Sequence, residues 1–230
     1  VATKKPDATP EEETSTATPE TPETPQIHIA KIASETLYVP ILGTTPLIMS
    51  RFSEKAKRKM LDAQQGRRSP KEIRNPEEEY EASMYRLGEG FGFPAVAFKS
   101  ATVAAARFYG KDVKMTELRQ FLWFTGEMAD NTDQPLVPID GQPKMREDYV
   151  RLAGASRSAD LRYRAEFWPW DAVLKITFVS SCLSRESVLS LVDAGGMGVG
   201  VGEWRPERKG DFGTYTIDES KDIDIERGER

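Results

Sequence analysis

Between Arg51 and Arg74 the chain gathers its strongest positive charge. Arg51, Lys55, Lys57, Arg58, Lys59, Arg67 and Arg68 follow one another closely, with Lys71 and Arg74 just beyond. Lysines and arginines crowded in this way can neutralise successive phosphates and release their counterions. The plainer reading is a solvated helix face. A second group lies in "DLRYRAEFWPW", where Arg162 and Arg164 precede Trp168 and Trp170. Aromatic platforms that stack bases while arginines hold phosphates are how single strands are bound; such aromatics also serve as ordinary core packing. A third group is "DAGGMGVGVGEWRPERKGDFG". Gly196, Gly198, Gly200 and Gly202 alternate there, followed by Trp204, Arg205, Arg208 and Lys209. A stretch this rich in glycine predicts a loop rather than a packed helix or strand. It could approach a sugar-phosphate chain or a neighbouring subunit, or pack tightly under a sheet.

Other chemistries are disfavoured. The chain has one cysteine, Cys182, and one histidine, His28. An internal disulfide needs two cysteines, which fits a reducing compartment. Structural zinc needs four ligands, mostly of these two types. A Ser-His-Asp triad would have to recruit His28, beside a low-complexity tail. The glycine-rich segment follows a predicted helix and precedes a predicted strand. A dinucleotide fingerprint needs the opposite order, so that a pyrophosphate meets a helix N-terminus. No Gly-Lys-Ser/Thr ends it, so a nucleoside triphosphate loop is not expected either. No carboxylate set on a rigid strand points to a metal-dependent nuclease. No cofactor and no metal is expected.

The elements that must carry these groups follow from pattern. The chain has 230 residues, 38% of them hydrophobic, enough for one sizeable core. Residues 1–26 are Thr-, Pro- and Glu-rich, with five Glu and one Asp against two Lys, and are expected to be disordered. Residues 218–230 read as a charged, acidic-leaning tail. Net charge is −5 overall, yet the stretch between the tails is slightly positive. Residues 27–217 read as a single domain with an insertion at about 50–90. "ETLYVPILG" is β-rich, and "TTPLIM" continues it past a bend at Pro46. Phe52, Ala56, Met60 and Ala63 recur at helical spacing, which predicts an amphipathic helix that Gly66 ends. Asn75, Pro76 and Glu78 read as an N-cap, first turn and capping box, with Gly88 ending that helix. "FPAVAFKSATVAAARFYG" predicts an apolar helix ended by Gly110. "RQFLWFTGE" and "PLVPIDG" predict strands, the latter closing at an Asp-Gly turn. "DLRYRAEFWPW" alternates, and after a bend at Pro169 "AVLKITFV" is a strand. Ser184 caps a helix that Gly195 ends. "DFGTYTI" is the last strand. Without insertions the order is strand, helix, strand, strand, helix, strand. That is an α+β, ferredoxin-like (RRM-like, split βαβ) pattern.

Three segments in this order resemble the RAMP superfamily. "YVPILGTTPLIMS" is similar to its opening strand. "GFPAVAFKSATVAAAR" resembles its Ile-Pro-Gly-x-x-hydrophobic-Lys-Gly-Ala-hydrophobic-Arg segment, with Pro94, Lys99, Ala101 and Arg107 in matching places. "GGMGVGVGEWRPERKGDFG" resembles its C-terminal glycine-rich loop. Ala95-Val96 and Ser100 depart from the family glycines, and no motif moves a cleaving Asp onto Asp62. RAMP proteins are backbone and guide-processing subunits of CRISPR effector complexes, built on ferredoxin-like folds. The resemblance spans Leu37 to Ile217 and implies a CRISPR-like role; its departures suit a phage or mobile-element relative. It implies that Lys99 and Arg107, with the glycine loop, contact phosphates.

The expected function is non-enzymatic binding of single-stranded DNA or RNA with self-association along the strand. The basic insertion would lie over the backbone, and the tails would recruit proteins. The expected assembly is a homo-oligomer or larger nucleoprotein complex, cytoplasmic in a bacterial or phage-infected cell and without membrane contact. Alternatives are a structural or assembly protein using the same surfaces, or a guide-processing ribonuclease.

Overall fold

The computed structural model describes residues 1–3, 29–67, 73–111, 113–129, 132–151 and 159–227. The chain divides into two units, Val1–Lys31 and Ile32–Arg230. Residues 1–3 and 29–31 of the first unit are exposed and belong to no helix or strand. Most of the Thr/Pro/Glu-rich tail, His28 and Arg68 lie outside the described residues.

The second unit is α+β, built on an antiparallel sheet. Strands β1 (Ser34–Gly43), β2 (Leu47–Met49), β3 (Arg86–Leu87), β4 (Gly90–Pro94), β5 (Leu122–Thr125), β6 (Leu136–Arg151), β7 (Ala159–Val179), β8 (Tyr215–Ile217) and β9 (Asp224–Arg227) all join it. Neighbours run β3-β4-β6-β7-β1-β8; β2 and β5 pair with β7, and β9 pairs with β1. The register sets Leu37, Val39 and Ile41 opposite Ile176, Leu174 and Ala172. All six are buried, as period-two alternation requires for a strand with one covered face. Helices α3 (Ala95–Ala104) and α5 (Arg185–Gly198) pack against each other, and their apolar sides join the same core. Helices α1 (Glu54–Gln64) and α2 (Pro76–Ala82) come between β2 and β3 in the chain, and α4 (Met115–Phe121) precedes β5.

Asn75 and Ser184 cap helices as the sequence implies, and Ser53 caps α1 besides. Ser53 accepts from the Ala56 N–H, Asn75 from Glu77 and Glu78, and Ser184 from Ser187. These bonds satisfy otherwise orphaned first-turn donors.

Other expectations change. The second helix ends at Ala82, and Gly88 instead turns a short hairpin between β3 and β4. Phe93 and Pro94 end β4, so α3 begins at Ala95. In "RQFLWFTGE" the first residues complete α4 and only Leu122–Thr125 is strand. Asp140-Gly141 is no turn. β6 passes through it with a register shift between Gly141 and Pro143, opposite Trp170 and Phe167. Gly141 has φ +147°, and a Cβ there would stand 2.8 Å from the Pro169 carbonyl oxygen. Glycine therefore permits a bulge in place of a hairpin turn. The C-terminal segment is no loose tail as far as Arg227. Asp218 is buried and Asp224–Arg227 forms β9 along Glu35–Tyr38.

The glycine-rich segment departs furthest from expectation. Helix α5 does not stop at Gly195 but continues through Gly195, Gly196 and Gly198. A Cβ on Gly195 would lie 2.9 Å from the backbone of Ala101 and Thr102; one on Gly196 would lie 2.2 Å from the Tyr215 carbonyl oxygen. These glycines let α5 touch the backbones of α3 and β8. Close approach outweighs poor helix propensity here.

Candidate nucleic-acid interface

Helix α1 and the start of α2 stand over the outer part of β7. Between them runs a groove of about 560 Å³. Arg51, Lys55 and Lys59 line it from the insertion, Arg162 and Arg164 from β7, and Arg74 from the start of α2. Among the described residues, Glu78, Glu79 and Glu203 are the acids on its walls, so cations outnumber carboxylates six to three. Phe52, Ile73 and Tyr163 supply apolar surface. Two segments about a hundred residues apart in sequence thus meet across one channel.

The cations are not equivalent. Arg74 holds Glu79 through two bonds of 2.6–2.7 Å and Asp160 at 2.6 Å, and it donates to the Leu161 carbonyl. Its hydrogen bonds to Glu79 push its pKa further up. It fastens α2 to β7. Arg164 is only 13% exposed and reaches Asp148 at 3.3 Å and Glu203 at 3.9 Å. Asp148 also takes Arg146 at 2.7 Å, and Arg146 takes Glu166 at 2.6 Å. Arg164 therefore belongs to an ion network that fixes the β6–β7 hairpin, so its charge is already engaged where the sequence suggests a phosphate contact. Arg162 contacts Asp160 at 2.9 Å and stays 45% exposed. Lys55 lies 4.0 Å from Glu78. Lys57 pairs with Glu54 at 2.7 Å, away from the groove lining. Arg58 and Arg67 are exposed and do not line it.

The amphipathic reading of α1 also changes. Its expected apolar face is uncovered: Phe52 is 53% exposed and Met60 54%, neighbouring Leu61 is 53% exposed, and no residue of the helix is buried.

Lys99, an expected phosphate contact, is engaged within the fold. Its ammonium donates to the Arg119 carbonyl at 3.0 Å, tying α3 to the last turn of α4. Burial holds its pKa below the usual lysine value. Arg107 donates to the Ala104 carbonyl and lies 3.5 Å from Glu207. Glu207 also holds Arg205 at 2.9 Å, and Arg205 donates to the Gly202 carbonyl. Arg107 and Arg205, distant in sequence, are thus joined by one carboxylate beside the glycine turns.

Of the four alternating glycines, Gly196 and Gly198 are packing positions inside α5, not a loop. Gly200 and Gly202 do form turns, with φ of +70° and +79°. They border a second cleft, of about 350 Å³, against the start of α3. Trp204 follows with φ +55° and 39% exposure. Positive φ in a bulky residue costs on the order of 1–3 kcal/mol. Arg208 and Lys209 are exposed just beyond. Trp170 is core: it is 2% exposed and donates to the Thr45 carbonyl at 2.8 Å, whereas Trp168 is 45% exposed.

Sequence reasoning does not find Ser50, Tyr85, Phe93, Gln134 or Glu203 as site residues. Each sits in an ordinary apolar or polar context, and only the sheet brings them together. Among the described residues no three His, Cys, Asp or Glu side chains cluster as a metal site, and no helix is long and apolar enough to cross a membrane.

No family model matches the chain, and no curated protein does. Among solved structures it is similar to a chain of the type III-B Cmr-beta complex bound to cognate target RNA. Identity is 10% and the TM-score 0.42, over 85% of this chain and 61% of that one. It is also similar to Cmr6 from Pyrococcus furiosus, at 10% identity and TM-score 0.39, over 82% of this chain and 100% of that one. The chain spans less than two thirds of the Cmr-beta chain's length. At these identities and TM-scores no ligand, partner or residue role passes from either structure to this chain.

Proposed function

We propose that this chain binds the sugar-phosphate backbone of single-stranded nucleic acid in the groove between α1, α2 and β7, without catalysing a reaction on it. The observation that carries this reading is the convergence of Arg51, Lys55 and Lys59 with Arg162 on one channel. Backbone binding needs clustered cations and little else. The exposed Trp204, Arg208 and Lys209 extend the same chemistry around the glycine turns. A ferredoxin-like core is the matching architecture: order β8-β1-β7-β6, with α3 and α5 as the two helical connections, supports it.

The test is anisotropy of a labelled oligonucleotide at two salt concentrations. Affinity should fall steeply with salt. Lys55→Ala with Lys59→Ala should lower affinity and reduce the log–log salt slope by about 0.7 for each phosphate no longer neutralised. No binding at low salt, or a double variant indistinguishable from wild type, refutes it.

A second reading is an assembly protein using these surfaces for subunit contacts. The uncovered Phe52, Met60 and Leu61 favour it, and they equally suit self-association along a strand. Light scattering after size exclusion separates the two. A defined oligomer that forms alone and ignores oligonucleotide supports assembly only.

A further inference from the structure

The groove does not end at β7. Ser50 and Glu203 line both it and the 350 Å³ cleft at the glycine turns, so the two spaces adjoin at these residues. Their walls differ in chemistry. The groove is cationic. The cleft has an aromatic wall, Tyr85 and Phe93, whose rings meet edge-on with centroids 5.9 Å apart. Its floor is apolar, from Ala97, Ala101, Val199 and Val201, and Ser100, Gln134 and Glu203 bring hydrogen-bonding groups to it. Among the described residues the one cation on its wall, Arg205, is already engaged by Glu207 and the Gly202 carbonyl. Such a space suits a flat heterocycle with polar edges and does not suit a phosphate.

Its size fits the same ligand. Small-molecule sites begin at roughly 300 Å³, and most are apolar with a few directed polar groups. An amide such as Gln134 both donates and accepts, and a carboxylate such as Glu203 accepts. Together they match the mixed edge of a base. A base in a single strand costs little to unstack, so it can leave its neighbours for such a site.

We propose that this cleft takes one unstacked nucleobase of the strand whose backbone lies in the cationic groove. The proposal rests on the backbone-binding reading above. Glu203 stands at the junction of the two spaces, and Tyr85 lines the cleft with it. The base would therefore turn inward where the groove meets the cleft.

The experiment compares a base-bearing oligonucleotide with an abasic strand of equal length at low salt. The base-bearing strand should bind about 5- to 160-fold more tightly, the range of one stacked base. Ala97→Trp, which fills the cleft, should remove that advantage and leave abasic binding unchanged. Gln134→Ala, at a partly exposed position, should reduce the advantage in the same direction and decides the matter if Ala97→Trp does not fold. If neither strand binds, the groove reading itself fails. If both strands bind equally, or if Gln134→Ala leaves the base advantage intact, the groove stands and the base site is overturned.

Discussion

Replacing Gly196 with alanine tests how the glycine-rich segment works. In an exposed helix interior the change should stabilise by about 1 kcal/mol, because glycine is that much poorer than alanine. Here the new Cβ would lie 2.2 Å from the Tyr215 carbonyl oxygen and 2.6 Å from its ring. Backbone and a fully buried ring must both move. Overpacking of this kind costs about 1–3 kcal/mol, occasionally more. At the upper end of that range, the propensity gain leaves a net loss of roughly 2 kcal/mol. For a domain of this length, 1 kcal/mol shifts the melting temperature by about 2–4 °C, so Gly196→Ala should melt about 4–8 °C lower. Gly198→Ala is the internal control. The nearest atoms to its Cβ would be the ring end of Phe108, 2.5 Å away. That ring is half exposed and can swing aside, so propensity gain and steric cost should nearly cancel. Thermal melting by circular dichroism reads both variants. If Gly196→Ala melts at or above wild type, α5 is not seated on β8 as described. If Gly198→Ala folds normally yet loses oligonucleotide affinity, the glycine acts on a ligand and the packing account fails.

Three further outcomes follow from the same geometry. Lys99→Met should lower stability by about 1 kcal/mol, the worth of one hydrogen bond, and leave oligonucleotide affinity unchanged; a selective loss of affinity would return Lys99 to the ligand. Arg164→Ala should destabilise by about 1–3 kcal/mol, because buried Asp148 keeps only Arg146; an unchanged urea midpoint would refute its structural role. Glu35 has its pKa lowered chiefly by the Arg185 hydrogen bond, and Asp218 chiefly by Ser220. Carboxyl groups depressed in the folded state stabilise it above their unfolded pKa, and that stability is lost as pH falls through the folded value. Melting temperature should therefore drop as pH falls below the ordinary carboxylate range, and Arg185→Gln should flatten the drop. A slope identical to wild type would contradict the assignment.

Local features are legible in the sequence because their causes are local. Asn75 and Ser184 cap helices through bonds spanning two or three residues, and Gly66 and Gly110 end elements by positive φ. Alternation exposes β1 and β7 for the same reason. The Asp140-Gly141 dipeptide misleads because it serves a hairpin or a bulge equally, and the partner strand decides which. Glu226 and its neighbours read as a tail because charge suggests solvent; pairing with Glu35–Tyr38 makes them an edge strand instead.

By itself, the sequence determined the α+β class, the order of the main elements, and the presence of a basic insertion and a glycine-rich segment. These depend on periodicity and composition, which every short window carries. Only the tertiary structure decided which cations share a groove and which are consumed by carboxylates. It alone showed that Lys99 serves a helix end, that Arg164 serves a buried network, and that Gly196 serves a contact with Tyr215. An ion pair or a close approach depends on a partner far along the chain, and no window of sequence contains both halves.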